Sequence, residues 1–134
     1  MPAEHTIDHE KKRITTVWTG EATDRDLIAS LTKYQQEIKG LPVYSSYDEI
    51  LDFSTTSSFM LSADGIKKLA QIAVNTDVAG VRTRLAIIVN KPVAYGLARM
   101  YAAYRSLVSE RGKDVRVYMN CRDAVEWLEQ DAGH

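Results

Sequence analysis

The chain is expected to fold as an α/β domain. Its core would be a five-stranded, mostly parallel mixed sheet with an N-terminal antiparallel hairpin and about four flanking helices, in the order ββαβαβαβα. Three observations predict this. Strand-like apolar runs alternate with segments of helical periodicity along most of the chain. The run Leu85-Ala86-Ile87-Ile88-Val89 is apolar without alternation, as a strand is when both its faces are covered. Two short strand-like runs at the N-terminus are separated only by Lys11 and Lys12, a spacing that suits a hairpin.

The hairpin strands are Glu4 to Glu10 and Arg13 to Thr19, with Ile14, Thr16 and Trp18 on one face of the second. Gly20 ends it. Thr23, with Asp26 three residues on, resembles a capping box with a shorter acid. Leu27, Ile28, Leu31, Tyr34 and Ile38 then form a helical stripe, stopped by Gly40 and Pro42. Tyr47 to Phe53 is the third strand and Thr83 to Asn90 the fourth, with Leu85 to Val89 expected at the sheet centre. Between them a helix starts near Ser62 and is marked by Ile66, Leu69, Ala70 and Ala73. The longest helix is expected from Pro92, suited to a first turn, to Glu110, with Gly112 ending it. Its apolar stripe reads Val93, Leu97, Met100, Tyr101, Tyr104 and Val108. Asp114 to Met119 is the fifth strand. Asn120 caps a last helix that turns Ala124, Trp127 and Leu128 inward.

No repeat or linker divides the 134 residues, which are read as a single domain, 1–134. Acidic residues number 18 and basic residues 17, for a net charge of −1, so no basic surplus calls for nucleic acid or an anionic membrane. The polar N-terminus does not read as a signal peptide, and no apolar run reaches the ~18 residues that cross a bilayer. Cys121 is the only cysteine, which fits a cytoplasmic location. No phosphate-binding or dinucleotide-binding glycine motif is present, and no cofactor is expected.

Leu51-Asp52-Phe53-Ser54, followed by Phe59-Met60 and a serine that opens a helix, resembles the STAS domain of anti-sigma-factor antagonists and sulfate-transporter tails. In that family a similar strand leads through Phe-Met to Asp-Ser-Ser-Gly, where a serine is phosphorylated. Here the corresponding residues are Leu61-Ser62-Ala63-Asp64-Gly65, so the resemblance implies Ser62 as the phosphoacceptor, with Ser58 as a second candidate. A second resemblance covers almost the whole chain. Gly96-Leu97-Ala98-Arg99-Met100-Tyr101 and Arg122-Asp123-Ala124-Val125-Glu126-Trp127-Leu128 are similar to motifs of small bacterial STAS/CRAL-TRIO-like proteins of unknown function.

Each candidate site has a chemical and a structural reading. Ligands of such sheets gather at the carboxyl ends of the parallel strands. That edge should carry Ser54, Thr55, Ser57, Asn90, Lys91, Asn120 and Cys121, beside helix N-termini that suit an anion. Alternatively these are simply the polar loops that any such fold has. Ser62 is either a phosphoacceptor or a plain helix cap. Cys121, at a helix start beside Arg122, is either an activated thiol or an inert one without a resolving partner. His5 and His9 would share a strand face about 13 Å apart, too far to hold one metal. Asp48, Glu49 and Asp52 read as solvated strand-end charges. Tyr95, Arg99 and Ala102 lie off the core stripe of the long helix and offer a face for a homodimer.

Three functions compete. The STAS resemblance implies a non-enzymatic regulatory or protein-interaction module. The second group's association with lipid-transfer domains implies a carrier or sensor of a small apolar ligand, with Phe53, Phe59, Met60, Leu61 and Met100 lining a cavity. An enzyme is a distant third, because no catalytic constellation is visible.

Overall fold

The computed structural model describes residues 2–108 and 113–130. Strands β1 (Ala3–Asp8) and β2 (Arg13–Trp18) form the antiparallel hairpin. Its turn manages without Asn-Gly. Asp8 Oδ1 accepts from the Lys11 amide at 3.0 Å, and Lys12 takes the left-handed conformation with φ of 53°. Inward Ile14, Thr16 and Trp18 alternate with half-exposed neighbours along β2.

The main sheet runs β1-β2-β4-β6-β7, where β4 is Asp48–Asp52, β6 is Thr83–Ile88 and β7 is Lys113–Tyr118. Only β1 is antiparallel to its neighbour. The run from Leu85 to Val89 is fully buried, but β6 is interior rather than central: β4 occupies the middle of the five strands. Helices α1 (Asp24–Tyr34), α2 (Ala63–Ala73) and α3 (Pro92–Val108) connect successive parallel strands. Crossovers of one hand, all stepping in the same direction, put these helices on one face. There Leu27, Leu69, Ala94 and Ala98 meet Trp18, Leu85, Ile87 and Val89. Helix α4 (Cys121–Glu129) covers the other face, packing Ala124, Trp127 and Leu128 on Ile50, Ala86 and Ile88.

The caps sit where the residue types require them. Thr23 Oγ1 accepts from the Asp26 amide, Ser62 Oγ from that of Gly65, and Asn120 Oδ1 from that of Asp123. Past Tyr34 the first helix widens into a π-helical turn, Gln35–Lys39, and ends at Gly40, where a side chain would run into the Gln35 carbonyl.

Two further expectations are corrected. The hydroxyl-rich stretch is not all loop: β5 (Thr56–Met60) pairs parallel with β3 (Gly20–Thr23) in a separate two-stranded ribbon. Thr55 and Thr56 hydroxyls donate to the Trp18 carbonyl at 3.0 and 3.2 Å and draw the segment alongside β3. The inward face of α3 is also rotated from the expected stripe. Val93 and Val108 are exposed, while Ala94, Ala98 and Arg105 are buried. Small alanines let the helix approach the sheet, and the long Arg105 side chain reaches an interior partner. The expected helix end at Glu110 and Gly112, and His134, lie outside the described residues.

Candidate functional site

Between the sheet and α1, α2 and α3 lies a cavity of about 160 Å³, and every residue that lines it is buried or only partly exposed. Its walls are mostly apolar, including Trp18, Leu27, Phe53, Phe59, Leu61 and Ile87. Phe53, Phe59 and Leu61 line it as expected. Met60 and Met100 do not, and Met60 is 64% exposed, because the period of β5 turns it away from Phe59.

One end of the cavity is charged. Glu49 and Leu51 share the inward face of β4, and the register sets Glu49 against Leu85 of β6. Lys113 shares a face of β7 with Val115 and Val117 and is aligned with Thr83 of β6. The pairing thus brings the Glu49 carboxylate and the Lys113 ammonium into a direct ion pair, with Lys113 also donating to Thr83 Oγ1 at 2.6 Å. Tyr34 donates its hydroxyl to Glu49 Oε2 at 2.7 Å. Lys39, carried inward by the π-helical turn, lies 3.9 Å from Glu49 and donates to the Tyr44 and Tyr47 carbonyls at 3.0 and 2.8 Å. Glu49 is therefore not the solvated strand-end charge expected; only 13% of its side chain is exposed. Asp48, on the opposite face, accepts from the Arg84 amide, and Asp52 accepts from that of Ser54. A second pair stands beside the first: Arg105 donates through both terminal nitrogens to Asp77, each at 2.8 Å.

These contacts set the protonation states. Burial alone would raise the Glu49 carboxyl, but the Lys113 and Lys39 ammonium groups outweigh it and hold the carboxyl below its usual range. Burial pulls Lys39 down to about 8 against the attraction of Glu49. Burial raises the Tyr34 phenol, with Glu49 adding to the shift, and pushes Tyr101 up to about 12. His5, which donates to or accepts from Thr16 Oγ1 at 2.7 Å, is lowered by burial.

The candidates at the strand ends divide into groups. Asn90 Nδ2 donates to the Ser54 carbonyl at 2.9 Å, and Lys91 Nζ donates to the Thr56 and Ser57 carbonyls at 3.3 Å. Asn90, Lys91 and Thr55, the last on the Trp18 carbonyl, thus tie the ribbon to the sheet and spend their side-chain polar groups on backbone. Asn120 caps α4, and Cys121 is an exposed free thiol; neither is bonded to that set among the described residues. Ser62 is exposed at the α2 N-terminus. Besides capping the helix, its hydroxyl donates to Asp24 Oδ2 at 2.6 Å, and its amide donates to Oδ1 at 3.0 Å. Ser58 Oγ lies 3.4 Å from Glu21 Oε2. Arg99 stacks over the Tyr95 ring at 5.8 Å, and these two with Ala102 line a shallow surface depression against Val115 and Val117 of β7. His5 and His9 serve different neighbours, His9 pairing with the Tyr47 hydroxyl at 3.0 Å.

Sequence reasoning missed Glu49, Lys113, Lys39, Arg105 and Asp77. A signal existed for two of them: Glu49 and Lys113 each stand in line with apolar residues at period two, on strand faces otherwise turned inward.

No helix among the described residues is long and apolar enough to cross a membrane. No protein-family model matches the chain, and no curated protein matches it in sequence. Among solved structures, it is similar to an uncharacterised protein of the DUF3478 family from Shewanella loihica PV-4, described as having a SpoIIAA-like fold. The match has a TM-score of 0.56 at 14% identity and covers 94% of this chain and 91% of the other. At that identity the likeness concerns the fold, and the mixed sheet with its antiparallel hairpin agrees with it: the chain has a SpoIIAA-like, that is STAS-like, α/β fold.

Proposed function

We propose that the chain is a non-enzymatic binding module, a carrier or sensor whose interior cavity takes up a small, largely apolar ligand. The observation that carries this reading is the cavity itself. Protein interiors are close-packed, with few voids larger than a water molecule. A space of about 160 Å³ among side chains that are buried or only partly exposed is far larger than the voids a domain core normally keeps. Leu, Ile or Met at Ala98 or Ala73, both on the lining, would fill part of it. Native mass spectrometry of freshly purified protein tests the reading. A stoichiometric co-purifying mass of small-molecule size supports it. A bare chain whose thermal midpoint no small apolar compound raises would sink it.

A regulatory or protein-interaction role is a second reading, favoured by the exposed position of Ser62 at a helix N-terminus. A phosphoryl group there would face the Asp24 carboxylate and break the Ser62–Asp24 contact between the N-terminal ends of α2 and α1. A protein partner captured by the chain and lost on Ser62→Asp would support it.

A further inference from the structure

The charges lining the cavity do not balance. Among its described lining residues, Lys39, Arg105 and Lys113 are cations and Glu49 and Asp77 are carboxylates, so three positive charges face two negative ones. The cationic side chains are only 4–5% exposed, so water does not screen the excess. The groups form one electrostatic unit: Glu49, Asp77 and, from the other face of β4 and off the cavity lining, Asp48 attract Lys39 while Lys113 repels it, and Arg105, Glu49 and Asp77 all act on Tyr101.

A separate observation points the same way. Arg105 spends both terminal nitrogens on Asp77, and its buried Nε makes no well-formed hydrogen bond, although the Tyr101 hydroxyl stands close enough to the guanidinium to act on it. A charged donor without a well-formed bond in an interior is costly, and such groups normally find an acceptor. Among the described residues the cavity thus has an apolar body and, at one end, three cations against two carboxylates with a buried guanidinium N–H that makes no well-formed hydrogen bond.

We propose that the ligand is a small organic carboxylate: a compact aromatic or branched hydrocarbon body lies among Trp18, Phe53, Phe59 and Ile87, and the carboxylate lies toward Arg105 and Lys113. This rests on the cavity reading given above and adds the chemical class. One excess positive charge matches a monoanion better than a phosphate dianion. Size narrows the class further. A cavity of about 150 Å³ lined by apolar side chains takes up benzene, so about 160 Å³ holds a body near one ring in size, not an extended lipid chain.

Isothermal titration calorimetry at pH 7 with phenylacetate, 2-phenylethanol and phenethylamine tests the assignment. These probes share one ring and differ in the charge of the head. Phenylacetate is expected to bind about tenfold or more tightly than the alcohol, and the amine most weakly. Lys113→Met removes the excess charge and leaves Lys39 with Glu49 and Arg105 with Asp77. It should erase most of the preference for the acid, read as the ratio of acid to alcohol affinity in the folded variant rather than as either affinity alone. The double substitution Arg105→Gln with Asp77→Asn removes that donor without stranding a carboxylate and should also weaken the preference. If the alcohol binds the unaltered chain as tightly as the acid, the carboxylate assignment is overturned and the cavity reading stands. If the acid preference survives both variants undiminished, these cations are not its source and the assignment fails. If none of the three probes binds and no mass co-purifies, the cavity reading itself is wrong.

Discussion

Replacing Glu49 with glutamine isolates the charge of the buried cluster. The side chain keeps its length and an oxygen for the Tyr34 hydroxyl, which now donates at 2.7 Å. What is lost is the counter-charge of Lys113, in direct contact, and of Lys39 at 3.9 Å. Removing one partner of a buried ion pair costs about 3–5 kcal/mol, because the remaining charge is stranded. With a urea m-value of about 2 kcal/mol/M, the midpoint should fall by on the order of 2 M. The pH dependence gives a second readout. Lys39 loses its proton at about 8 in the folded chain and near 10.5 ordinarily, so between those values the unfolded chain holds more protons. Stability then rises with pH through that window. In the glutamine variant Lys39 sheds its proton still more readily, so the deficit should shrink between pH 7 and 9. Above about pH 10 the trend reverses in both proteins, because the raised phenols of Tyr34 and Tyr101 stay neutral when folded and ionise when unfolded. Chemical denaturation at several pH values measures both effects. A midpoint unchanged within the range of an exposed ion pair, under about 1 kcal/mol, would refute the buried cluster.

Other variants probe the rest of the architecture. Trp127→Ala should cost about 3–5 kcal/mol, since the ring is 3% exposed and carries Arg84 and Arg116 over it at 5.2 and 4.9 Å; an unchanged denaturation midpoint would contradict its packing between α4 and the sheet. Gly65→Ala should cost about 1–2 kcal/mol, because its methyl group would collide with the Asp24 carboxylate and displace it from Ser62. In an Asp24→Ala background most of that cost should vanish, and a double-mutant cycle without coupling would argue against the contact. A homodimer built on Tyr95, Arg99 and Ala102 should sediment as such and dissociate on Tyr95→Asp with Arg99→Glu; a monomer at all concentrations removes the dimer, and an undisturbed dimer removes this face.

What was legible in the residues was local or strongly periodic. Ser62 and Asn120 cap their helices because a short polar side chain before a helical stripe has few other uses. Leu85 to Val89 declared its burial through the missing alternation. The ribbon strand β5 was not legible, because hydroxyl-rich residues form a strand there only when β3 and the Trp18 carbonyl lie beside them. The charged cluster depends on register across β4, β6 and β7, which no single segment encodes. Lys39 points inward only because the helix widens after Tyr34, a change of pitch that no residue in Gln35–Lys39 announces. On α3, exposed Val93 and buried Arg105 invert what hydropathy assigns, because the helix phase follows Ala94 and Ala98 at the sheet contact.

The strand order β1-β2-β4-β6-β7 has a consequence for how the protein is made. Each strand joins the sheet beside the sheet strand that precedes it in the chain, so no later segment must be inserted between two earlier ones. The sheet can be laid down from one side as the chain leaves the ribosome, hairpin first. The last arrivals close it: β7 covers the open edge of β6, and α4 seals the face formed by Ile50, Ala86 and Ile88. Until then the nascent chain presents both a bare apolar face and an unpaired apolar strand, the combination most prone to association with other chains. The interval between synthesis of β6 and of Trp127 is therefore the stage at which a chaperone would have the most to hold.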